Sequence, residues 1–297
     1  MAPLMRIAVV LATAAIGMQI VFPLAQGALL DAVTAAVVVL LAAAALAHAL
    51  VTRGAIFMVT LLLSAAGVGF AAEALGVATG FPFGCYEYAL DRLGPHLAGV
   101  PLVVPLAWAA GSYPVWCAVS ALLSGHHGLR RAAVRVPLVA VTITAWDLYL
   151  DPQMVTMGYW TWCASGPVLP GAGQIPLTNF AGWLLVATVI AIALEVAAAR
   201  SDPGSEPPDR WARLGADAVP LALFLWTWLG SALAHAVFLH ARFPDAGLQI
   251  SASFGLLGMA VTGVPLLFWL YRTAQSRPRI RGRSAGQRAT SESDLAR

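Results

Sequence analysis

The sequence predicts an all-α integral membrane protein with about eight transmembrane helices, both termini cytoplasmic and two long outer loops. Three observations carry this expectation. Of the 297 residues, 60% are hydrophobic and only 10% charged, with a mean hydropathy of +0.79, whereas a soluble domain carries roughly 25% charged residues. The apolar residues fall into runs of about 20, the length a helix needs to cross a hydrocarbon core of roughly 30 Å. The basic residues, all of them Arg, are divided unevenly among the segments that join these runs.

In chain order, the runs place spans at Ile7–Leu24, Leu29–Val51, Ala55–Leu75, Pro101–Leu123, Ala132–Leu150, Thr178–Ala199, Asp217–His240 and Ser251–Tyr271. The first is long for the apolar stretch of a cleaved signal peptide and is read as a span. With the amino terminus inside, cytoplasmic segments hold 15 Arg, and outer segments hold only Arg92 and Arg242. This is the positive-inside pattern, which predicts a multi-pass protein of the cytoplasmic membrane with the lipid bilayer as its medium. Residues 1–272 form the membrane domain, with a motif-rich core at 73–186. Thr273–Arg297 reads as a disordered basic cytoplasmic tail, and Ser201–Arg213 as a polar Pro/Gly linker.

Several function classes find no support. Cys85, Cys117 and Cys163 show no CxxC pairing and are odd in number, so neither a metal site nor a disulfide framework is signalled. A Cys85–Cys163 bond across the outer loops stays open as the minor alternative. His126 and His127 are adjacent and His48 and His96 isolated, so no metal is assigned. There is no phosphate-binding Gly loop, GxSxG elbow or HExxH. Neither a cofactor nor a nucleic-acid partner is expected.

The information is concentrated in the outer loops, Gly76–Val100 and Asp151–Leu177. They echo one another. Gly94-Pro95-x-Leu97-x-Gly99, then Pro101-Leu102, five residues and Trp108, is matched by Gly166-Pro167-x-Leu169-x-Gly171, then Pro176-Leu177, five residues and Trp183. Spans three and four and spans five and six are accordingly read as parallel repeats about an axis along the membrane normal, chance similarity of Gly/Pro-rich loops being the alternative.

An ionisable group inside a span costs roughly 2.5 to 3.5 kcal/mol at a helix centre, so each asks for a reason. Glu73, Asp147, Asp151, His235 and His240 all fall near the outer ends of spans. Asp147 and Asp151 are four apart and share a helical face. Like charges so placed repel, and in a low dielectric one of them is expected to keep its proton, as a general acid must. The bland reading gives Asp151 a turn cap with Pro152 and Asp147 a bond to a neighbouring helix. Glu87 and Asp91 repeat the spacing in a loop, where a solvated loop helix with Asp91 near Arg92 is the competing reading. Tyr86, Tyr88, Tyr159, Trp160 and Trp162 lie where interfacial aromatic belts occur, and their π faces are also suited to a carbocation.

The strings Gly80-Phe81-Pro82-Phe83-Gly84-x-Tyr86-x-Tyr88, Leu93-Gly94-Pro95, Gly99-Val100-Pro101, Ala145-Trp146-Asp147-Leu148-x-Leu150-Asp151-Pro152-Gln153-Met154-Val155, Gly158-Tyr159-Trp160-x-Trp162 and Pro176-Leu177-x-Asn179-Phe180-x-Gly182-Trp183 resemble the CruF-type carotenoid hydratases. The resemblance covers roughly residues 80 to 186; the flanking helices match in hydropathy only. It implies hydration of the terminal (1,2) double bond of an acyclic carotenoid end group, lycopene-, monocyclic- or bacterioruberin-type, without a redox cofactor. Carotenoid and water are then the reactants, and other enzymes of the pathway are candidate partners.

The resemblance carries no catalytic assignment, so roles follow from chemistry. Water adds to an isolated trisubstituted alkene only after a strong acid protonates the less substituted carbon. Asp147 is the chosen acid, with Asp151 or Glu73 as its partner. Tyr149, Trp160 and Trp162 line the cation pocket, with Tyr86, Tyr88 and Trp146 as further substrate contacts. Asn179 and Gln153 position water, and Glu87, Asp91 and His235 remain in reserve. Two other classes compete. A membrane prenyltransferase or carotenoid elongase would use Asp147-x-x-x-Asp151 and Glu87-x-x-x-Asp91 to hold magnesium and diphosphate; a non-catalytic transporter or complex subunit would use intramembrane acids differently.

Overall fold

A computed structural model describes residues 2–124, 128–163, 166–172, 175–200 and 209–276. His126, His127, positions 201–208 of the linker and positions 277–297 of the tail lie outside the described residues. The chain is helical throughout its apolar runs. Its helices are α1 (Ala2–Val21), α2 (Gly27–Leu61), α3 (Val68–Thr79), α4 (Val103–Leu122), α5 (Gly128–Thr156), α6 (Leu177–Arg200), α7 (Arg210–Leu225), the short α8 (Ser231–Leu233) and α9 (His240–Arg242), and α10 (Leu248–Gln275). π-helical turns at Leu62–Gly67, Trp226–Gly230 and Ala234–Leu239 join α2 to α3 and α7 to α9. Seven of the resulting continuous helices are long and apolar enough to cross a membrane, which makes this a multi-pass membrane protein.

The eight expected spans differ from these seven helices at one place. Spans two and three run together as Gly27–Thr79, 53 residues. A straight helix of that length would extend about 80 Å. It does not remain straight: Gly54 interrupts it with φ 86° and ψ 172°, a conformation that only glycine adopts easily. Thr34 and Glu73, on opposite sides of that break, line the same cavity. His48 and Phe57, closer to it, both contact Tyr113. The chain therefore turns back at Gly54, between expected spans two and three, and the arms on either side, residues 27–53 and 55–79, pack beside α4 as a helical hairpin.

α4 is the centre of the molecule. In its most apolar stretch 78% of residues are buried, against 22 to 44% for the other long helices, as expected for a helix apolar on every side. Far from the loops, charges are gathered in pairs. Arg53 Nη2 donates to buried Asp217 at 2.6 Å and its guanidinium lies 4.8 Å over Trp116. His48, isolated in sequence, is fully buried with ring nitrogens 2.8 Å from Tyr113 Oη and 2.8 Å from Ala216 O. Arg135 lies inside α5, which starts earlier than expected, and bonds Glu195. α10 likewise continues to Gln275, three residues into the expected tail.

The two loops are joined by short strands. β1 (Tyr86–Tyr88) pairs antiparallel with β4 (Trp160–Trp162), in register Tyr86↔Trp162 and Tyr88↔Trp160. β2 (His96–Leu97) pairs with β3 (Val100–Pro101). The loop helix that is one of two readings of Glu87–Asp91 does not form: Glu87 and Tyr88 are in β1 and Asp91 lies in a turn. The Cys85–Cys163 disulfide, which the sequence left as the minor alternative, closes the ribbon's edge. The sequence echo has matching bonds: Leu102 N donates to Pro95 O and Leu177 N to Pro167 O, both at 2.9 Å. The bridge Val168↔Pro176 stands where His96↔Pro101 stands in the first loop.

Candidate active site

Three carboxylates from two helices face one cavity. Glu73 comes from α3; Asp147 and Asp151 lie one turn apart on α5. They are 5%, 1% and 1% exposed. A buried carboxylate without donors is costly, and these differ sharply in the donors they receive.

Glu73 Oε2 accepts from Tyr86 Oη at 2.6 Å and Tyr88 Oη at 2.8 Å, and Oε1 from Trp108 Nε1 at 3.2 Å. Asp151 Oδ1 accepts from Trp160 Nε1 at 2.6 Å and Trp162 Nε1 at 3.1 Å, and Oδ2 from Asn179 Nδ2 at 2.7 Å. The same amide nitrogen donates to Asp147 Oδ2 at 2.6 Å. For Asp147 this is its one hydrogen bond among the described residues.

The ribbon accounts for the donors. Successive strand side chains alternate in direction, so Tyr86 and Tyr88 face the cavity while Glu87 points out, exposed. The antiparallel register sets Trp160 and Trp162 on the same face, with Tyr86 5.0 Å from Trp162 and Tyr88 5.6 Å from Trp160 between ring centroids. Burial, with the Glu73 carboxylate alongside, pushes both tyrosine hydroxyls well above their ordinary range, so they remain protonated donors.

A second network ties the loops to α2. Arg92 Nε and Nη2 grip Asp31 at 2.7 to 3.0 Å, a bidentate geometry that fixes orientation. Its guanidinium lies 4.8 Å from the Tyr159 ring centroid, and Tyr159 Oη is 2.8 Å from Thr34 Oγ1. Arg92 is bound to Asp31 rather than to its neighbour Asp91.

Not every expected residue is here. Trp146, Tyr149 and Gln153 line a second, adjoining cavity, because on α5 they are rotated by roughly a third of a turn or more from the face of Asp147, Asp151 and Met154. Tyr149 Oη donates to Trp228 O at 3.1 Å. His235 is fully buried with ring nitrogens 2.8 Å from Ser231 O and 3.0 Å from Tyr149 O; it lines neither cavity. Glu87 and Asp91 are exposed and outside both.

Residues 33–260 match the family described as Carotenoid biosynthesis protein. The chain belongs to that family. The matched stretch includes every residue that lines the carboxylate cavity, from Thr34 to Trp183. The chain is also 33% identical over 146 residues to the bisanhydrobacterioruberin hydratase of Haloarcula japonica, covering 48% of this chain and 45% of that protein. The chain thus matches under half the length of this curated relative. No solved structure matches.

Trp108, Thr34 and Trp183 also line the carboxylate cavity, and residue chemistry alone did not assign them. Trp108 and Trp183 were visible as equivalent positions of the echoed strings. Thr34 had no signal, since a threonine in an apolar run reads the same whether it faces lipid or a cavity.

Proposed function

We propose that this protein is a carotenoid hydratase that adds water to the terminal (1,2) C=C bond of an acyclic carotenoid end group. The observation that carries the reading is the uneven bonding of the three carboxylates: Glu73 and Asp151 each receive three donors, and Asp147 one. Hydrogen bonds to a carboxylate favour its charged form, so Asp147 is the member suited to hold a proton against an alkene. The name of the Haloarcula relative, a hydratase of a bacterioruberin-type carotenoid, supports the same chemistry.

The steps follow from the groups present. Asp147 passes its proton to the less substituted carbon of the terminal alkene. The tertiary cation left behind is met by the π faces of Trp160 and Trp162 and by the negative charges of Glu73 and Asp151. Water adds to the cationic carbon, and its surplus proton returns to the carboxylate group, restoring Asp147. The balance is one water added and no redox change. Asn179, bonded to both Asp147 and Asp151, keeps them apart and oriented.

Two features support an outward-facing site in the cytoplasmic membrane with both termini inside. Outer segments hold two of the 17 Arg, and a disulfide across the loops suits an oxidising compartment. The elongase alternative loses its second acidic motif, since Glu87 and Asp91 lie outside the cavity. The test is expression in cells that make acyclic carotenoids, with product mass as readout. A gain of one water per hydrated end supports the hydratase; a gain of an isoprenyl unit means an elongase; unchanged pigment removes both enzymes and leaves a non-catalytic role.

A further inference from the structure

The carboxylate cavity continues. Thr34, Val38, Ala107, Leu150 and Met154 line both it and the second cavity. The second cavity has no carboxylate on its walls, and most of its lining is hydrocarbon or aromatic. Beyond it, Gln19, Leu41, Ala110 and Trp146 are shared with a third, smaller void. On α4 the lining advances from Val103 through Ala107 and Ala110 to Val115, about 18 Å of helix.

Two features shape this passage. Ala107 and Ala110, three apart on one face of α4, leave its wall without bulk. Across from them, Gln19 Oε1 accepts from Trp226 Nε1 at 2.8 Å, a bond that ties α1 to the start of the π turn Trp226–Gly230. π turns in otherwise α-helical segments are frequent at functional sites, and this one sets the Trp226 indole on the wall of the second void, bonded to Gln19, which lines both the second and the third.

We propose that the hydrocarbon chain of the substrate threads this passage with its end group at the carboxylates, and that Ala107, Ala110 and the Gln19–Trp226 bond set the length and width of chain accepted. The identity of the end group rests on the hydratase reading; the passage does not. An uncharged apolar wall contiguous with an acid site suits a long polyene, whose burial gains roughly 25 cal/mol per Å², and excludes isoprenoid diphosphates, which would leave two or more charges without partners. A larger side chain at 110 narrows the passage without touching Asp147, Asp151 or Glu73. Loss of the Trp226 indole widens the second void and frees Gln19, which lines both the second and the third.

The experiment compares two probes that share a terminal dimethylalkene: lycopene, a long acyclic polyene, and geranylacetone, a short one. Purified wild type, Ala110→Leu and Trp226→Ala are incubated with each, retained lycopene is read by visible absorption, and alcohols are read by mass. Ala110→Leu is expected to lower the lycopene-to-geranylacetone conversion ratio and the retained pigment by roughly ten-fold or more. Equal retention and an unchanged ratio in that variant overturn the proposal. Should Ala110→Leu not elute as a monodisperse protein, Trp226→Ala decides: it enlarges the passage, so a shifted ratio supports the proposal and an unchanged one overturns it. If lycopene is retained by the wild type, lost from Ala110→Leu and never converted by either, the passage stands and the hydratase reading falls.

Discussion

Trp108 and Trp183 stack with ring centroids 4.1 Å apart and planes inclined by 25°. Each stands the same distance after a Pro-Leu pair, Pro101-Leu102 or Pro176-Leu177, so the stack joins equivalent positions of the two echoed strings. The ribbon obeys the same equivalence: Ala89 N donates to Tyr159 O and Cys163 N to Cys85 O, both at 2.9 Å. Each half therefore brings an aromatic pair to the cavity. Tyr86 and Tyr88 hold Glu73; Trp160 and Trp162 hold Asp151. Asp147 lines the same cavity, and among the described residues the Asn179 amide is its one donor.

The tyrosine pair gives the first prediction. Hydrogen bonds to charged groups contribute about 1.5–3 kcal/mol each, so Tyr88→Phe is expected to lower product yield roughly ten-fold and the Tyr86→Phe, Tyr88→Phe double variant further, with expression maintained. Wild-type turnover in the double variant would show that Glu73 takes no part in the chemistry.

Gly69 gives the second. A Cβ there would meet Trp108 Cδ1 at 2.5 Å. Gly69→Ala must push the indole away from Glu73 and out of its stack on Trp183, and overpacking of this kind costs about 1–3 kcal/mol. Lower thermal stability together with lower turnover is the expected pair of changes; a variant indistinguishable from wild type in both would mean that the stack has room to shift without consequence.

The disulfide gives the third. Cys85 and Cys163 are 78 residues apart in sequence, and removing a cross-link typically costs roughly 2–4 kcal/mol. Cys85→Ser, Cys163→Ser and thiol-reduced wild type are expected to melt together, below oxidised wild type. Identical melting of all four would remove the bond as a stabilising element.

How much of this was legible beforehand depended on what kind of cause was at work. Glu73, Asp147 and Asp151 stood out because hydrocarbon makes each carboxylate expensive, and that cost does not depend on the fold. Helix phase was legible too, yet unused: Trp146, Tyr149 and Gln153 are adjacent to the aspartates in sequence and a third of a turn away in space. The turn at Gly54 was legible as the break between expected spans two and three, beside Arg53. Which side chains of those spans face the loops was hidden, because contacts between distant segments leave no local signal, and so Thr34, and Asp31 as the partner of Arg92, were missed. The ribbon was hidden for a related reason: three-residue strands that pair across more than 70 positions leave no periodicity to detect. Tyr86, Tyr88, Trp160 and Trp162 fitted an interfacial belt equally well until their partners were known.

The most direct measurement of the central claim is carotenoid product analysis for Asp147→Asn, which keeps the shape of the side chain and its place beside Asn179 but cannot donate a carboxylic proton. The account predicts full-length protein in the membrane, retained pigment and no alcohol, at least a hundred-fold below wild type on the scale of general-acid contributions of about 10²–10⁴. Alcohol formation within a few-fold of wild type would contradict it and remove Asp147 as the acid.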